Sequence, residues 1–348
     1  TARLDRLPPA VKIVVQTAAV LGREFDVRVL ASMLQQDAAL QDQMAVATRA
    51  AIWAAMAEAR YLFRHALLRD AAYEMQLRGQ LRRLHHTAAA AIRQVYAEEP
   101  APHYAELVYH YHQSEDDDNE REYAHLAGHH AATQYANQDA LRYFGRALEL
   151  LKPDQAALEW ELRFARENVL YLLGARDEQA EDLDALDALQ PGAPAIGAQL
   201  QLRRARYLTV LGKYEPALDA ASDAIAQAER AGERSLIAQA LHRRGVILQL
   251  MGRYTDAEVA LAQAAQQLTA DAAAQASIAH ARGNIRYYLG DFEAARQMIG
   301  EAQQLFTAAN DRQGVIRCLF VVGQIDWRRG QFAQARRHFG EALGSTFK

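Results

Sequence analysis

One spacing constrains this chain more than any other feature. A small residue at a turn, an aromatic or polar residue two positions on, and an alanine three further recur at a near-fixed pitch. Four copies are clear: Gly212-Lys-Tyr214-Glu-Pro-Ala217, Gly252-Arg-Tyr254-Thr-Asp-Ala257, Gly290-Asp-Phe292-Glu-Ala-Ala295 and Gly330-Gln-Phe332-Ala-Gln-Ala335. Their glycines lie 40, 38 and 40 residues apart. Two weaker copies precede them, Tyr135-Ala-Asn137-Gln-Asp-Ala140 and Gly174-Ala-Arg176-Asp-Glu-Gln179. A fixed period of this length identifies an array of stacked helix pairs. Such arrays make extended binding surfaces and rarely carry chemistry.

The unit has a readable logic. The turn glycine ends a first helix, the Tyr or Phe packs under the second, and the following Ala lets the two approach closely. Seven residues before each turn stands another small residue: Ala205, Gly245, Gly283 and Gly323. A mid-helix glycine costs about 1 kcal/mol against Ala, so its recurrence at one register requires a close helix crossing. Ala147, Ala224, Ala264, Ala302 and Ala342 mark a second crossing, each seven residues after the preceding Ala. Ala231-Gly-Glu-Arg234 and Ala309-Asn-Asp-Arg312 are matching turns between units. The pattern resembles the tetratricopeptide repeat in a longer variant of about forty residues. It covers residues 101–348 in about six units. The expected fold is all-α, a right-handed superhelix preceded by a different helical module at 1–100.

Composition supports this. Ala, Leu, Gln, Glu and Arg favour helix nearly everywhere, and only residues 11–15 and 60–64 suggest a strand. Helices are expected at 11–21, 27–34, 41–59, 66–77 and 80–96. Residues 24–26 read as a short turn in which Asp26 is the N-cap of the second, and residues 61–65 form a wing strand or extended turn. Prolines at Pro100 and Pro102 mark the boundary between the two domains, and a second break falls at 190–194. A net charge of −4 gives no basic stripe, so no direct nucleic-acid binding is expected. No run of about 18 apolar residues implies a membrane span. Cys318 is the single cysteine, which suits a reducing cytoplasm. The sequence starts at Thr1 without Met and reads as a piece of a longer protein.

Two segments of the first hundred residues resemble the region after the ATPase core in bacterial STAND-type regulators, which include LuxR-type and cyclase-associated proteins. They are Leu7-Pro-Pro-Ala-Val-Lys-Ile-Val-Val-Gln-Thr-Ala-Ala-Val-Leu-Gly-Arg-Glu-Phe25 and Tyr61-Leu-Phe-Arg-His-Ala-Leu-Leu-Arg-Asp-Ala-Ala-Tyr73. Ala105-Glu-Leu-Val-Tyr-His-Tyr111 and Tyr123-Ala-His-Leu-Ala-Gly128 are similar to that family's junction with its sensor. The resemblance implies a winged helix followed by a tetratricopeptide sensor. It also implies that His65, with Arg64, contacts the phosphate of a nucleotide in the full-length parent. The nucleotide core itself is missing: no Gly-x-x-x-x-Gly-Lys-Ser/Thr loop occurs, so no cofactor is expected in this chain and ATP or ADP belongs to the parent. The function implied is a non-catalytic sensor, binding a protein or small-molecule trigger. A stand-alone assembly scaffold is the alternative.

Counting back from each turn, positions 13, 10, 6, 3 and 2 residues earlier face inward. They give Asn168 and Tyr171, Arg206, Gln239, His242 and Gln249, His280, Asn284, Tyr287 and Tyr288, and Arg317, Gln324, Trp327 and Arg328. Amides, aromatics and arginines are the groups that binding surfaces favour. His125 and His129 share a helix face, but no nearby carboxylate or cysteine completes a ligand set, so no metal site is expected. The basic run 78–86 is read as a docking face for the ATPase core, and Asp116-Asp-Asp118 as a solvated loop.

Overall fold

The structure, a computed structural model, describes residues 2–35, 39–57, 59–189, 192–268 and 271–346. It forms two compact units, Thr1–Asp182 and Leu183–Lys348.

The first unit opens with α1 (Ala2–Asp5), α2 (Pro9–Val20), β1 (Glu24–Asp26), α3 (Val27–Leu34), α4 (Leu40–Arg49), β2 (Trp53–Ala57) and β3 (Arg60–Phe63). The strands make a small antiparallel sheet in the order β1-β3-β2, with Phe25 opposite Tyr61 and Trp53 opposite Phe63. Two expectations are corrected here. Glu24–Asp26 is a strand rather than a turn, and the helix expected at 41–59 ends at Arg49. Ala51 takes a left-handed φ of 57° and Ile52 N–H returns to Ala47 O at 3.0 Å, closing the helix. Trp53, Phe63 and Phe25 then meet edge-on and tilted at 5.3–5.7 Å between ring centres. That buried aromatic cluster outweighs the helix propensity of Trp53-Ala-Ala-Met-Ala57. Residues 11–15 lie in α2, whose inward side is buried. Asp26 caps α3 through the N–H of Arg28 at 2.7 Å, as its position implies.

Then follow α5 (Ala66–Glu74), α6 (Arg78–Val95), a 3₁₀ turn at Ala101–His103 and α7 (Tyr104–Ser114). Beyond them six helix pairs run through the described residues: α8 (Asp117–Thr133) with α9 (Asn137–Glu149), α10 (Ala156–Leu173) with α11 (Arg176–Leu189), α12 (Pro194–Val210) with α13 (Tyr214–Ala231), α14 (Arg234–Leu250) with α15 (Tyr254–Gln267), α16 (Ala272–Tyr288) with α17 (Phe292–Ala308), and α18 (Arg312–Arg328) with α19 (Phe332–Thr346). The division between units falls within α11. Of the break expected at 190–194, Gln190 and Pro191 lie outside the described residues, as does Lys348 at the end of the last unit.

The pitch has its geometric cause at the corners. Gly174, Gly212, Gly252, Gly290 and Gly330 all take φ between 72° and 83°, the left-handed conformation that glycine adopts without strain. Tyr135 fills the corresponding corner of the first pair at φ 57° without a glycine. The mid-helix small residues have the packing reason inferred from their register. A Cβ on Gly245 would sit 2.6 Å from Leu261, one on Gly283 2.8 Å from Ile299, and one on Gly323 2.6 Å from Phe339.

In the first unit one apolar core begins at Leu4 and continues to Val169, crossing from the strand-bearing module into the first helix pairs. Buried ions tie helices together within pairs and, at one place, between them. Asp182 is fully buried and held by Arg163 at 3.0 Å and Arg166 at 2.5 Å. Glu120 receives Arg146 at 2.6 Å. In the second unit the fully buried Asp326 binds Arg296 and, at 2.8 Å, His338.

Candidate ligand-binding face

In the second unit the first helices of successive pairs touch directly: α12 against α14, α14 against α16, and α16 against α18. The positions counted back from each corner lie on these first helices.

Several of the expected residues meet. Asn284 lies 3.4 Å from His280 Nδ1 on α16. Arg328 of α18 reaches back to α16 and donates from Nε to the Tyr287 hydroxyl at 3.3 Å. Tyr288 stacks on Tyr254 with ring centres 5.5 Å apart, and Trp327 meets Phe332 edge-on at 5.1 Å. Burial pushes the His242 imidazole down to about 4, helped by Arg243, His280 and Arg317. Burial, then Arg317, pushes His280 down to about 4 as well. Both rings are therefore neutral near pH 7 and offer one donor and one acceptor each. The Nε2 of His280 is buried and makes no hydrogen bond. Arg317 lies over the Phe306 ring at 5.3 Å.

The other expected residues take less part in this cluster. Gln239 is exposed and bonds Ser235 of its own helix at 3.4 Å. Arg206, Gln249 and Gln324 are half-buried on α12, α14 and α18. In the first unit Tyr171 carries Arg176 over its ring at 5.1 Å. The aromatic after the corner does not always pack under the second helix: Phe332 is 59% exposed beside Trp327, itself 59% exposed. The first helices of the second unit thus carry the half-buried His242 and His280, the exposed Arg328 and the accessible rings of Tyr288 and Trp327.

Arg64 and His65 lie at the junction of β3 and α5, both exposed. The helix start is served by the His65 carbonyl, which accepts from Leu68 N–H at 3.0 Å, while its side chain makes no capping bond. The imidazole is left in solvent beside Leu67, which is 80% exposed.

The basic run and the acidic loop neutralise one another across a groove of about 800 Å³. Arg82 pairs with Glu115 at 2.9 Å and His86 with Asp116 at 3.4 Å. Asp118 binds Lys152 at 2.6 Å and Arg121 at 2.8 Å. Asp116 also caps α8 through Asn119 N–H at 3.2 Å. The acidic loop is therefore largely engaged within the chain rather than merely solvated, and Arg82 and His86 have partners there.

The tetratricopeptide repeat family matches residues 274–345. No curated protein matches the sequence. Among solved structures, a tetratricopeptide repeat protein from Parabacteroides merdae superposes with a TM-score of 0.52 at 15% identity, covering 75% of this chain and 86% of that one. The apo form of RapI superposes with a TM-score of 0.52 at 11% identity, over 65% of this chain and 97% of that one. A STAND protein with a tetratricopeptide repeat sensor from Pyrococcus horikoshii gives a TM-score of 0.49 at 10% identity, over 99% of this chain and 64% of that one. No helix among the described residues is long and apolar enough to cross a membrane. The chain has an all-α tetratricopeptide-repeat fold, an architecture that in general serves to bind protein partners.

Proposed function

We propose that this chain is the non-catalytic sensor region of a STAND-type signalling ATPase, binding a protein or small-molecule trigger on the inner side of its repeats. The observation that carries the relay is the unbroken core from Leu4 to Val169. A module and the first repeats that share one core cannot rearrange independently. The order helix, strand, helix, helix, strand, strand, with β1 pairing β3, fits a winged helix. The exposed His65 and Arg64 fit a contact with a nucleotide phosphate held by a core outside this sequence. Trigger binding shifts the parent from a closed to an open arrangement only if the trigger prefers one of them.

A stand-alone scaffold draws on the same inner side, and the exposed Trp327 favours it equally, since it needs no nucleotide. Two experiments separate the readings. His65→Ala in the full-length parent is expected to raise activity without trigger; unchanged basal activity removes the lock. Capture with this chain as bait, compared with a Trp327→Ala, Arg328→Ala variant, is expected to lose the trigger. Capture indifferent to that variant removes the inner-side site.

A further inference from the structure

We infer that His125, His129 and Glu161 form a binding site for a divalent transition metal of the zinc type, bridging the first helices of the first two repeats. His125 and His129 are four residues apart on α8, so their rings emerge one turn apart on one side. Their centres are 4.8 Å apart. Glu161, on α10, brings a carboxylate oxygen to 3.3 Å from His125 Nε2. One ligand atom from each of the three lies within 4.8 Å of the others. A second observation points the same way. His125 Nε2 is shut away from solvent and makes no hydrogen bond, although a carboxylate stands beside it. An imidazole nitrogen so placed has a carboxylate for company but no hydrogen bond to it, and a metal ion between the two would engage both.

The repeat register explains how the three converge. His125 and His129 stand 10 and 6 residues before the left-handed corner at Tyr135, and Glu161 stands 13 before the corner at Gly174. His280, Asn284 and Arg317 occupy the same three positions relative to Gly290 and Gly330. The register therefore places one such triplet at the seam between neighbouring first helices, on the inner side. Side-chain identity decides what each seam takes: His, Asn and Arg in one, and two imidazoles with a carboxylate in the other.

Two imidazoles and a carboxylate suit zinc or its neighbours and not magnesium or calcium, which prefer all-oxygen sets. Zinc–nitrogen bonds of about 2.0–2.1 Å require the ligand atoms to close by roughly 1.5 Å. Glu161, 57% exposed, is free to make most of that movement. Phe144, fully buried, meets the His129 ring edge-on at 5.2 Å and limits its orientation. Three protein ligands leave at least one position open toward the inner side, for water or for a carboxylate or imidazole of a bound partner.

The site stands independently of the relay. Zn²⁺ titrated calorimetrically into the full chain, without a histidine tag, at neutral pH, is expected to saturate at one ion per chain. Co²⁺ as a probe is expected to give the intense visible bands of low-coordinate cobalt. His129→Ala and Glu161→Gln, both surface changes whose folding is checked by circular dichroism, are expected to weaken binding at least about tenfold. His130→Ala, one residue along the helix, is expected to leave it unchanged. Absence of saturable Zn²⁺ binding, or binding that His129→Ala does not weaken, or equal weakening by His130→Ala, overturns the proposal.

Discussion

Gly245→Ala tests the close crossing on which the repeat depends. In α14 a Cβ at this position would lie 2.6 and 2.8 Å from Leu261 side-chain atoms and 3.4 Å from the Ala257 carbonyl. Leu261 is fully buried, packed in the core that α14, α15 and α16 share. Overpacking of this kind costs about 1–3 kcal/mol, while replacing a mid-helix glycine by alanine returns about 1 kcal/mol. The net expectation is a loss of about 0–2 kcal/mol. Gly300 provides the control: it is mid-helix in α17, and a Cβ there meets nothing within 4 Å. Gly300→Ala receives the propensity gain alone and is expected to stabilise by about 0.5–1 kcal/mol. The two variants should therefore differ by roughly 1–3 kcal/mol, on the order of 5 °C in melting temperature for a unit of this size. Thermal melts followed by circular dichroism, with urea midpoints as a check, measure the difference. Gly245→Ala as stable as Gly300→Ala would refute the close-crossing account of the mid-helix small residues.

Three further expectations follow from other places in the fold. Trp327→Ala and Tyr287→Ala are expected to weaken trigger binding while leaving helicity unchanged; a double variant that binds fully removes the inner side as the site. His85 Nδ1 and His110 Nδ1 are buried 2.9 Å apart, and Tyr73 lies 2.9 Å from His85 Nε2. Burial, then Arg69, pushes His85 down to about 4, and burial, then His85, pushes His110 down to about 3. Because the unfolded chain binds these protons first, stability is full above about pH 6.5 and falls toward about pH 4, by about 1.4 kcal/mol per pH unit for each ring. Urea midpoints across that range check it, and an acid limb no shallower in a His85→Leu, His110→Leu variant would count against it. Asp182→Ala strips Arg163 and Arg166 of their buried partner and is expected to cost about 3 kcal/mol; a urea midpoint within error of the parent would contradict this.

Much of the array was legible because its signal is periodic and its cause local. A left-handed corner needs a residue that tolerates it, and a close crossing needs the absence of a side chain, so both leave marks in the sequence at fixed intervals. Tyr135 shows where the mark fails: the corner persists at φ 57° although its glycine does not. β2 was not legible. Trp53-Ala-Ala-Met-Ala57 has helix-forming composition, and its strand depends on Phe25 and Phe63, each about ten or more residues away and visible only once packed. Glu161 was missed as a neighbour of His125 and His129 for a related reason. It stands 36 and 32 residues downstream of them, and only the register between adjacent helices converts that separation into contact.

The hydrogen bond from Arg328 to Tyr287 spans the seam between two repeats rather than the inside of one. Within a repeat, the crossings at Gly283 and Gly323 leave the helices almost no freedom to slide. The seam itself is held by the apolar cluster of Ala276, Ile299, Phe306, Cys318 and Val321 and by the Arg296–Asp326 pair, and the Arg328–Tyr287 bond lies at its exposed polar edge. A ligand that pairs with Arg328 competes with Tyr287 for the guanidinium, so its binding is felt at the joint between two repeats and not inside one.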